Sequence, residues 1–291
     1  PVSAVAKTRQ WLVENVQEGL LRNVRMAIRA EQGQEPQLSL GYDFVQGDVR
    51  FLKTLPPIRK GSGYATLEDF TYTMVLDEGQ ITPPLGGTID MAGSVFSVLD
   101  IRPKPAQAEI RLHTDSTLTA ALSLLDEEPF RFLTKAGRPV EIGEGKARLN
   151  ALLRLPLVKK VKPEDVSFDV QGRLQNVRSD VLVEGRTLTS DALAISATPR
   201  GLELTGAGKI GEVPFDATYR LPFGKEAGGK SEVEGQVELS PRTIEEFRIG
   251  LPKRAVSGNG WGDFRIDMQK GSPARLSLTS KLKGVALSLP E

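Results

Sequence analysis

A two-residue alternation of apolar and polar side chains constrains this chain of 291 residues more than any other feature. The alternation is plainest in the segments 166–171, 213–221, 264–269 and 276–283. Because successive side chains of a β-strand point to opposite faces, each segment predicts a strand with one apolar and one polar face. Turn-forming residues separate the strand segments at roughly ten-residue intervals, as a meander requires. The sequence therefore predicts a mainly β protein built on a large curled antiparallel sheet.

Short helices are predicted in three places. The segment 2–18 has an amphipathic pattern and ends before a glycine. The segment 116–125 follows a predicted cap at Asp115 or Ser116, and 240–248 combines a Ser-Pro start with two early acidic residues. We therefore expect a β fold with two or three short helices.

A short motif recurs three times along the chain. An aromatic residue is followed ten or eleven residues later by Gly-X-Gly, with a proline-bearing stretch between them: Phe51 with Gly61-Ser-Gly63, Phe132 with Gly143-Glu-Gly145, and Phe247 with Gly258-Asn-Gly260. The motif predicts repeated units of crossover, glycine turn and strands. We expect one elongated unit over 1–291, which divides, if anywhere, into sub-repeats 1–158 and 159–291 at the basic stretch 157–164.

Composition removes several kinds of chemistry. The chain has no cysteine and a single histidine, which excludes disulfides, thiolate metal sites and multi-histidine zinc sites. Lys and Arg number 38 against 37 Asp and Glu, so we expect no nucleic-acid partner. No apolar run approaches the ~18 residues of a membrane-spanning helix. The two tryptophans, Trp11 and Trp261, are predicted to anchor the core.

Motifs that suggest chemistry have simpler structural interpretations. The segment 206–211 matches the glycine spacing of a dinucleotide fingerprint, but an alternating segment containing Pro214 follows it instead of a helix, which favours a hairpin turn. His113 lacks a nucleophile elbow and is predicted to be a surface or capping residue. Acidic pairs fall at predicted helix ends and turns. We therefore expect no catalytic residue, no cofactor and no metal site.

The predicted sheet must curl, split or close. About fifteen strands at ~4.8 Å spacing would be roughly 70 Å wide. Its apolar face then either meets a second sheet in a closed sandwich or forms the wall of an open groove. Aromatic residues make up only 6% of the chain, so a groove wall would be aliphatic and would suit acyl chains better than sugars. The alternation places candidate wall residues at Phe168, Val170, Phe215, Tyr219, Phe264, Ile266 and Leu278.

Several segments resemble the AsmA-like proteins of the Gram-negative envelope. At the N-terminus the pattern Pro1…Ala6-Lys7…Trp11-Leu12…Gly19 is similar to their recurring helix and turn. Two pairs of segments resemble the repeated strand unit of these proteins. The first pair is 55–63 followed by 70–81, and the second is 256–260 followed by 276–290. The ending, Gly284-Val-Ala-Leu-Ser-Leu-Pro290, is similar to that of the YhdP branch, where a strand closes on a G-x-x-L-x-L-P tag.

This resemblance implies a location and a function. AsmA-like proteins are anchored in the inner membrane by a helix, here outside the sequence, and extend a β-sheet groove across the periplasm that is thought to carry phospholipid between the membranes. For this chain, the resemblance implies a non-enzymatic segment of such a protein that binds phospholipid acyl chains. Contact with the membrane would be made by segments outside this sequence. Because the sequence opens at Pro1 rather than Met, we expect it to be part of a longer protein. The alternative is a closed β-sandwich that serves as a structural or adhesion module without lipid cargo.

Overall fold

The computed structural model describes residues 2–33, 36–51, 54–158, 160–224, 227–252, 255–269 and 271–288. Within this part of the chain, fifteen strands form one curled antiparallel sheet and two further strands form a small separate sheet. Four short helices accompany them. The fold class predicted from the alternation is therefore confirmed.

The elements follow one another along the chain with these bounds: α1 Val2–Asn15, β1 Val16–Arg29, β2 Gln37–Val49, β3 Ile58–Glu68, β4 Thr71–Ile81, β5 Ile89–Asp90, β6 Ser94–Val98, β7 Gln107–Thr117, α2 Leu118–Leu125, α3 Phe132–Ala136, β8 Glu144–Pro156, a 3-10 turn Pro163–Asp165, β9 Ser167–Val183, β10 Arg186–Thr198, β11 Gly201–Ile210, β12 Val213–Pro222, β13 Lys230–Leu239, α4 Pro241–Glu246, β14 Val256–Gly258, β15 Gly260–Gln269, β16 Ser272–Thr279 and β17 Val285–Leu287.

Sheet order follows chain order almost throughout. The hydrogen-bonded order is β1-β2-β3-β4-β5-β7-β8-β9-β10-β11-β12-β13-β15-β16, and β6 also pairs with β4 and β7. The small sheet consists of β14 and β17. Such an order is that of a meander, in which each strand pairs mainly with its neighbours in sequence.

The chain packs into two compact units. The first comprises Pro1–Glu141 and Ala147–Val170, and the second comprises Ile142–Lys146 and Gln171–Glu291. The sub-repeats predicted for 1–158 and 159–291 stay a prediction, because compact packing does not demonstrate a sequence repeat. Each unit is described separately below.

Helix α2 packs on the main hydrophobic cluster of the first unit. The cluster consists of Leu76, Ile81, Ile89, Met91 and Ala120, and Ala120 is the contribution of α2. The cap of α2 is Thr117, whose hydroxyl accepts a hydrogen bond from the Ala120 amide at 3.0 Å. The predicted caps at Asp115 and Ser116 are therefore wrong by one or two residues, because β7 continues through Thr117.

Helix α1 ends three residues earlier than predicted. Its last residue is Asn15, whose carbonyl accepts a hydrogen bond from the Arg50 amide at 2.8 Å. Strand pairing then starts at once, with Val16 opposite Val49. A distant strand thus overrides the local helical pattern, because its backbone hydrogen bonds pair residues 16–18 in the sheet.

Helix α3 and the positions of the two tryptophans differ from the sequence predictions. Helix α3 was not predicted; it lies between Arg131 and Gly137, which both adopt positive φ angles. The tryptophans do not anchor the core, since Trp11 is 46% and Trp261 48% exposed. Trp261 lies opposite Glu238 in the register of β13 and β15, on the polar side of the sheet.

The Phe of each recurring Phe…Gly-X-Gly motif lies in a connection between strands, but the predicted glycine turns are wrong: Gly61 and Gly63 lie within β3, Gly145 lies within β8, and Gly258 and Gly260 end β14 and begin β15. The three connections join β2 to β3, β7 to β8 and β13 to β14. Parts of the sequence predictions lie outside the described residues, namely Leu52 beside the first motif, Lys159 in the basic stretch, and Leu289 and Pro290 of the C-terminal tag.

Glu238, which is 3% exposed, ties α4 to the sheet. Its carboxylate pairs with Arg242 and accepts hydrogen bonds from Ser240 Oγ at 2.6 Å and from Asn259 Nδ2 at 3.1 Å. Its backbone carbonyl accepts from Thr243 Oγ1 at 2.7 Å. The Arg242 guanidinium, helped by Ser240 and Asn259 and opposed by burial, lowers the pKa of Glu238 from 4.5 to about 2.

A Glu238→Gln variant is expected to lose about 1.5–3 kcal/mol of unfolding free energy at pH 7, the usual contribution of hydrogen bonds to a charged group. Because the folded pKa of about 2 is below the ordinary 4.5, this stability is present above pH 4.5 and disappears as the pH falls toward 2. Urea unfolding between pH 2 and 7 should therefore show a flatter pH dependence in the variant. Glu234→Gln, an exposed position of the same strand, is the control, and a wild-type slope in Glu238→Gln would contradict the assignment.

Candidate functional site

In the second unit, apolar side chains form continuous rows across the strands. Residues directly opposite each other in neighbouring strands share one face of the sheet. One row crosses six strands in register, from β10 to β16, through Ile195, Leu204, Tyr219, Val233, Ile266 and Leu276. The next row contains Gly206, Ala217, Gly235, Phe264 and Leu278, and a third contains Gly208, Phe215, Val237 and Gly262. We call the side that carries these rows the apolar face of the second unit.

Five of the seven predicted wall residues lie on this face. Phe215, Tyr219, Phe264, Ile266 and Leu278 all occupy the three rows. The other two, Phe168 and Val170, belong to β9 in the first unit, where they are half-buried between exposed neighbours. Their role as wall residues stays a prediction.

The apolar face of the second unit is half-buried rather than enclosed. Tyr219, Val233 and Ile266 keep part of their surface exposed, although they lie in the middle of the sheet. At the edge strand β16, Leu276 is 65% and Leu278 49% exposed. Side chains covered only by their lateral neighbours remain accessible in this way, whereas a sheet packed on top would bury them.

The opposite side of these strands is charged. Arg220 contacts Glu203 at 3.1 Å, Glu232 at 3.4 Å and Glu234 at 3.3 Å. Arg265 extends the network through Glu232 at 2.6 Å and through Asp267 at 3.0 Å. Such exposed pairs add little stability, but they keep this side of the sheet in water. The two sides of the sheet therefore differ sharply in polarity.

The first unit carries a similar face. One row crosses six strands through Met26, Leu40, Leu67, Tyr72, Val98 and Ala108, and a second contains Tyr42, Ala65, Met74, Phe96 and Ile110. We call this side the apolar face of the first unit. Its edge strand β1 exposes Met26 to 66% and Ile28 to 65%, whereas Val98 and Ala108 at the other end of the row are 3% and 2% exposed and form a buried cluster with Ala106. Sequence reasoning placed no candidates here, although the alternation of Leu38, Leu40, Tyr42 and Phe44 carried the signal.

Helices α2 and α4 directly follow strands β7 and β13, and α2 packs on the apolar face of the first unit, since Leu76 lies on the same side of β4 as Met74. In the first unit, α2 packs through Ala120 on the cluster that contains Leu76 and Ile81. In the second unit, α4 directly follows β13, and Arg186 donates a hydrogen bond to the Glu246 carbonyl of α4 at 3.0 Å. The rows described above run from strand to strand in direct register, without a helix between their members.

The remaining motifs form no constellation for catalysis among the described residues. His113 is an exposed residue of β7, as predicted for a surface position, and its Nδ1 lies 2.7 Å from the Asn150 amide oxygen. The glycine-rich segment 206–211 ends β11 and enters the hairpin turn to β12, as predicted. In the described ranges, no group of three or more His, Asp or Glu side chains is placed to hold a metal ion. None of the helices in that part of the chain is long and apolar enough to cross a membrane.

Comparison with known proteins finds no family model, no curated protein and no solved structure that matches this chain.

Proposed function

We propose that this chain is a non-enzymatic, lipid-binding segment of a bridge-like protein that carries phospholipid between the inner and outer membranes. In this proposal the apolar faces of the two units hold the acyl chains. The observation that carries it is the row from Ile195 to Leu276, which is aliphatic apart from Tyr219, continuous over six strands and uncovered. The periplasmic location and the tether to the inner membrane rest on the sequence resemblance alone.

The dimensions of the row suit an acyl chain. Six strands at ~4.8 Å spacing make a row ~24 Å long. One acyl chain fills about half of a ~30 Å bilayer core, or ~15 Å. One chain therefore lies along about four of the six strands, and because transfer from water to an apolar surface gains ~0.8 kcal/mol per methylene, it binds there without any directional contact.

The alternative function, a closed sandwich acting through its surface, requires a second large sheet over the first. Within the described residues, the strands outside the large sheet are only β14 and β17, each three residues long. Leu276 and Leu278 are exposed on the apolar side of the sheet, which also favours the lipid-binding proposal over a closed core.

The edge strand β16 provides a matched test, since Leu278 lies on the apolar face and its neighbour Ser277 lies on the charged side, opposite Arg265. Delipidated protein should take up a fluorescent phospholipid from vesicles. Leu278→Asp is expected to weaken uptake by at least about tenfold, because the contact of one leucine contributes ~1.5–3 kcal/mol. Ser277→Asp should leave uptake unchanged, and equal effects of the two variants would contradict the proposal.

A further inference from the structure

Two tyrosines form a hydrogen-bonded pair on the apolar face of the first unit. The hydroxyls of Tyr42 on β2 and Tyr72 on β4 are 2.9 Å apart. They reach each other across β3, where Ala65 lies opposite Tyr42 and is 0% exposed. The small side chain of Ala65 leaves room for the two rings above it.

The surroundings of this pair are apolar. Tyr72 contacts the ring of Phe96 edge to face, with centroids 6.2 Å apart. Leu40 and Leu67 precede Tyr72 in its row, and Met74 follows Ala65 in the neighbouring row. Tyr72 and Phe96 also pack against the buried cluster of Val98, Ala106 and Ala108, so the pair is a polar position within an apolar surface.

The pair has one hydroxyl proton left over. A phenol donates one hydrogen bond and can accept two, so the contact between the two hydroxyls uses only one of their two protons. Among the described residues, neither hydroxyl has another hydrogen-bond partner. Burial, together with the hydrogen bond to Tyr42, raises the pKa of Tyr72 further above neutral pH, where a phenol is already protonated and able to donate.

An acyl chain lying on this face would exclude water from the spare donor, and an unsatisfied donor costs free energy in an apolar environment. Resting on the proposed function, we infer that the Tyr42–Tyr72 pair donates a hydrogen bond to an ester carbonyl of the bound lipid. The pair thereby selects ester-linked lipids over lipids with the same chains but without carbonyl oxygens, and it fixes the headgroup end of the chain near β2 and β4.

The test compares two phosphatidylcholines with identical chains, one ester-linked and one ether-linked. Each displaces a fluorescent phospholipid from delipidated protein. Wild type should prefer the ester-linked lipid about fivefold, the effect of one net hydrogen bond. The double variant Tyr42→Phe/Tyr72→Phe should bind both lipids equally. Tyr64→Phe, on the opposite side of β3, is the matched control and should keep the preference.

The single variants separate recognition from a structural role. Tyr42→Phe and Tyr72→Phe each retain one hydroxyl that can donate, so each should keep most of the preference. A purely structural pair is broken by either change, so each single variant would then behave as the double variant does. That result, or equal binding of both lipids by wild type, overturns the inference. If wild type binds neither lipid, the proposed function itself fails and this inference fails with it.

Discussion

A Gly86→Val variant is expected to lose about 2–6 kcal/mol of unfolding free energy, measured by urea denaturation at pH 7. Gly86 has a φ of +85°, and an added Cβ would lie 2.2 Å from the Ala120 amide nitrogen. Its carbonyl accepts a hydrogen bond from Thr117 Oγ1, the cap of α2, at 2.7 Å. The substitution therefore combines backbone strain with displacement of α2 from the hydrophobic cluster.

The neighbouring glycine separates these two causes. Gly87 has a similar φ of +90°, but an added Cβ would have no heavy atom within 4 Å. Gly87→Val should therefore show the backbone strain alone, about 1–3 kcal/mol. Equal losses in the two variants would contradict the close packing of Gly86 on α2.

An Ile266→Asp variant is expected to lose at least nine tenths of the phospholipid that co-purifies with the protein. Ile266 lies inside the row of the second unit, between Val233 and Leu276. A carboxylate there must either lose its water beneath an acyl chain or keep the chain away, and both outcomes disfavour binding. Phe215→Asp, in the third row of the same face, should have the same effect. The measurement is solvent extraction and quantification of lipid from equal amounts of protein.

Folding of these variants distinguishes an open face from a closed core. Because Ile266 keeps part of its surface exposed, the new charge can stay hydrated and the sheet should remain folded. Circular dichroism and thermal melting check this directly. Loss of the β signal in Ile266→Asp or Phe215→Asp would mean that these positions are buried core, and a full complement of lipid on a folded variant would exclude them from the binding surface.

The strands were predictable because their signal is local. Alternation identified β12, β15 and β16 from residues close in sequence, and the Ser-Pro start correctly identified α4. The end of α1 was not predictable, because Val16 pairs with Val49, more than thirty residues away. Helix α3 has only five residues, too few to show a helical period.

The site was only partly predictable for a related reason. Alternation shows which residues of one strand share a side, but not which sides of different strands coincide, since a one-residue slip in register reverses a whole strand. The observed register brings Tyr219 and Ile266 into one row through Val233, which had not been a candidate. The pair of Tyr42 and Tyr72 depends on a diagonal contact across β3 that no sequence pattern specifies.

The central claim is that the partly exposed apolar faces carry lipid. Native mass spectrometry of the protein purified from a bacterial host, followed by solvent extraction of whatever remains bound, tests it most directly. The account predicts co-purified phospholipid in near-stoichiometric amount. Lipid-free protein that takes up no phospholipid when vesicles are offered would contradict it and would favour a structural or adhesion module.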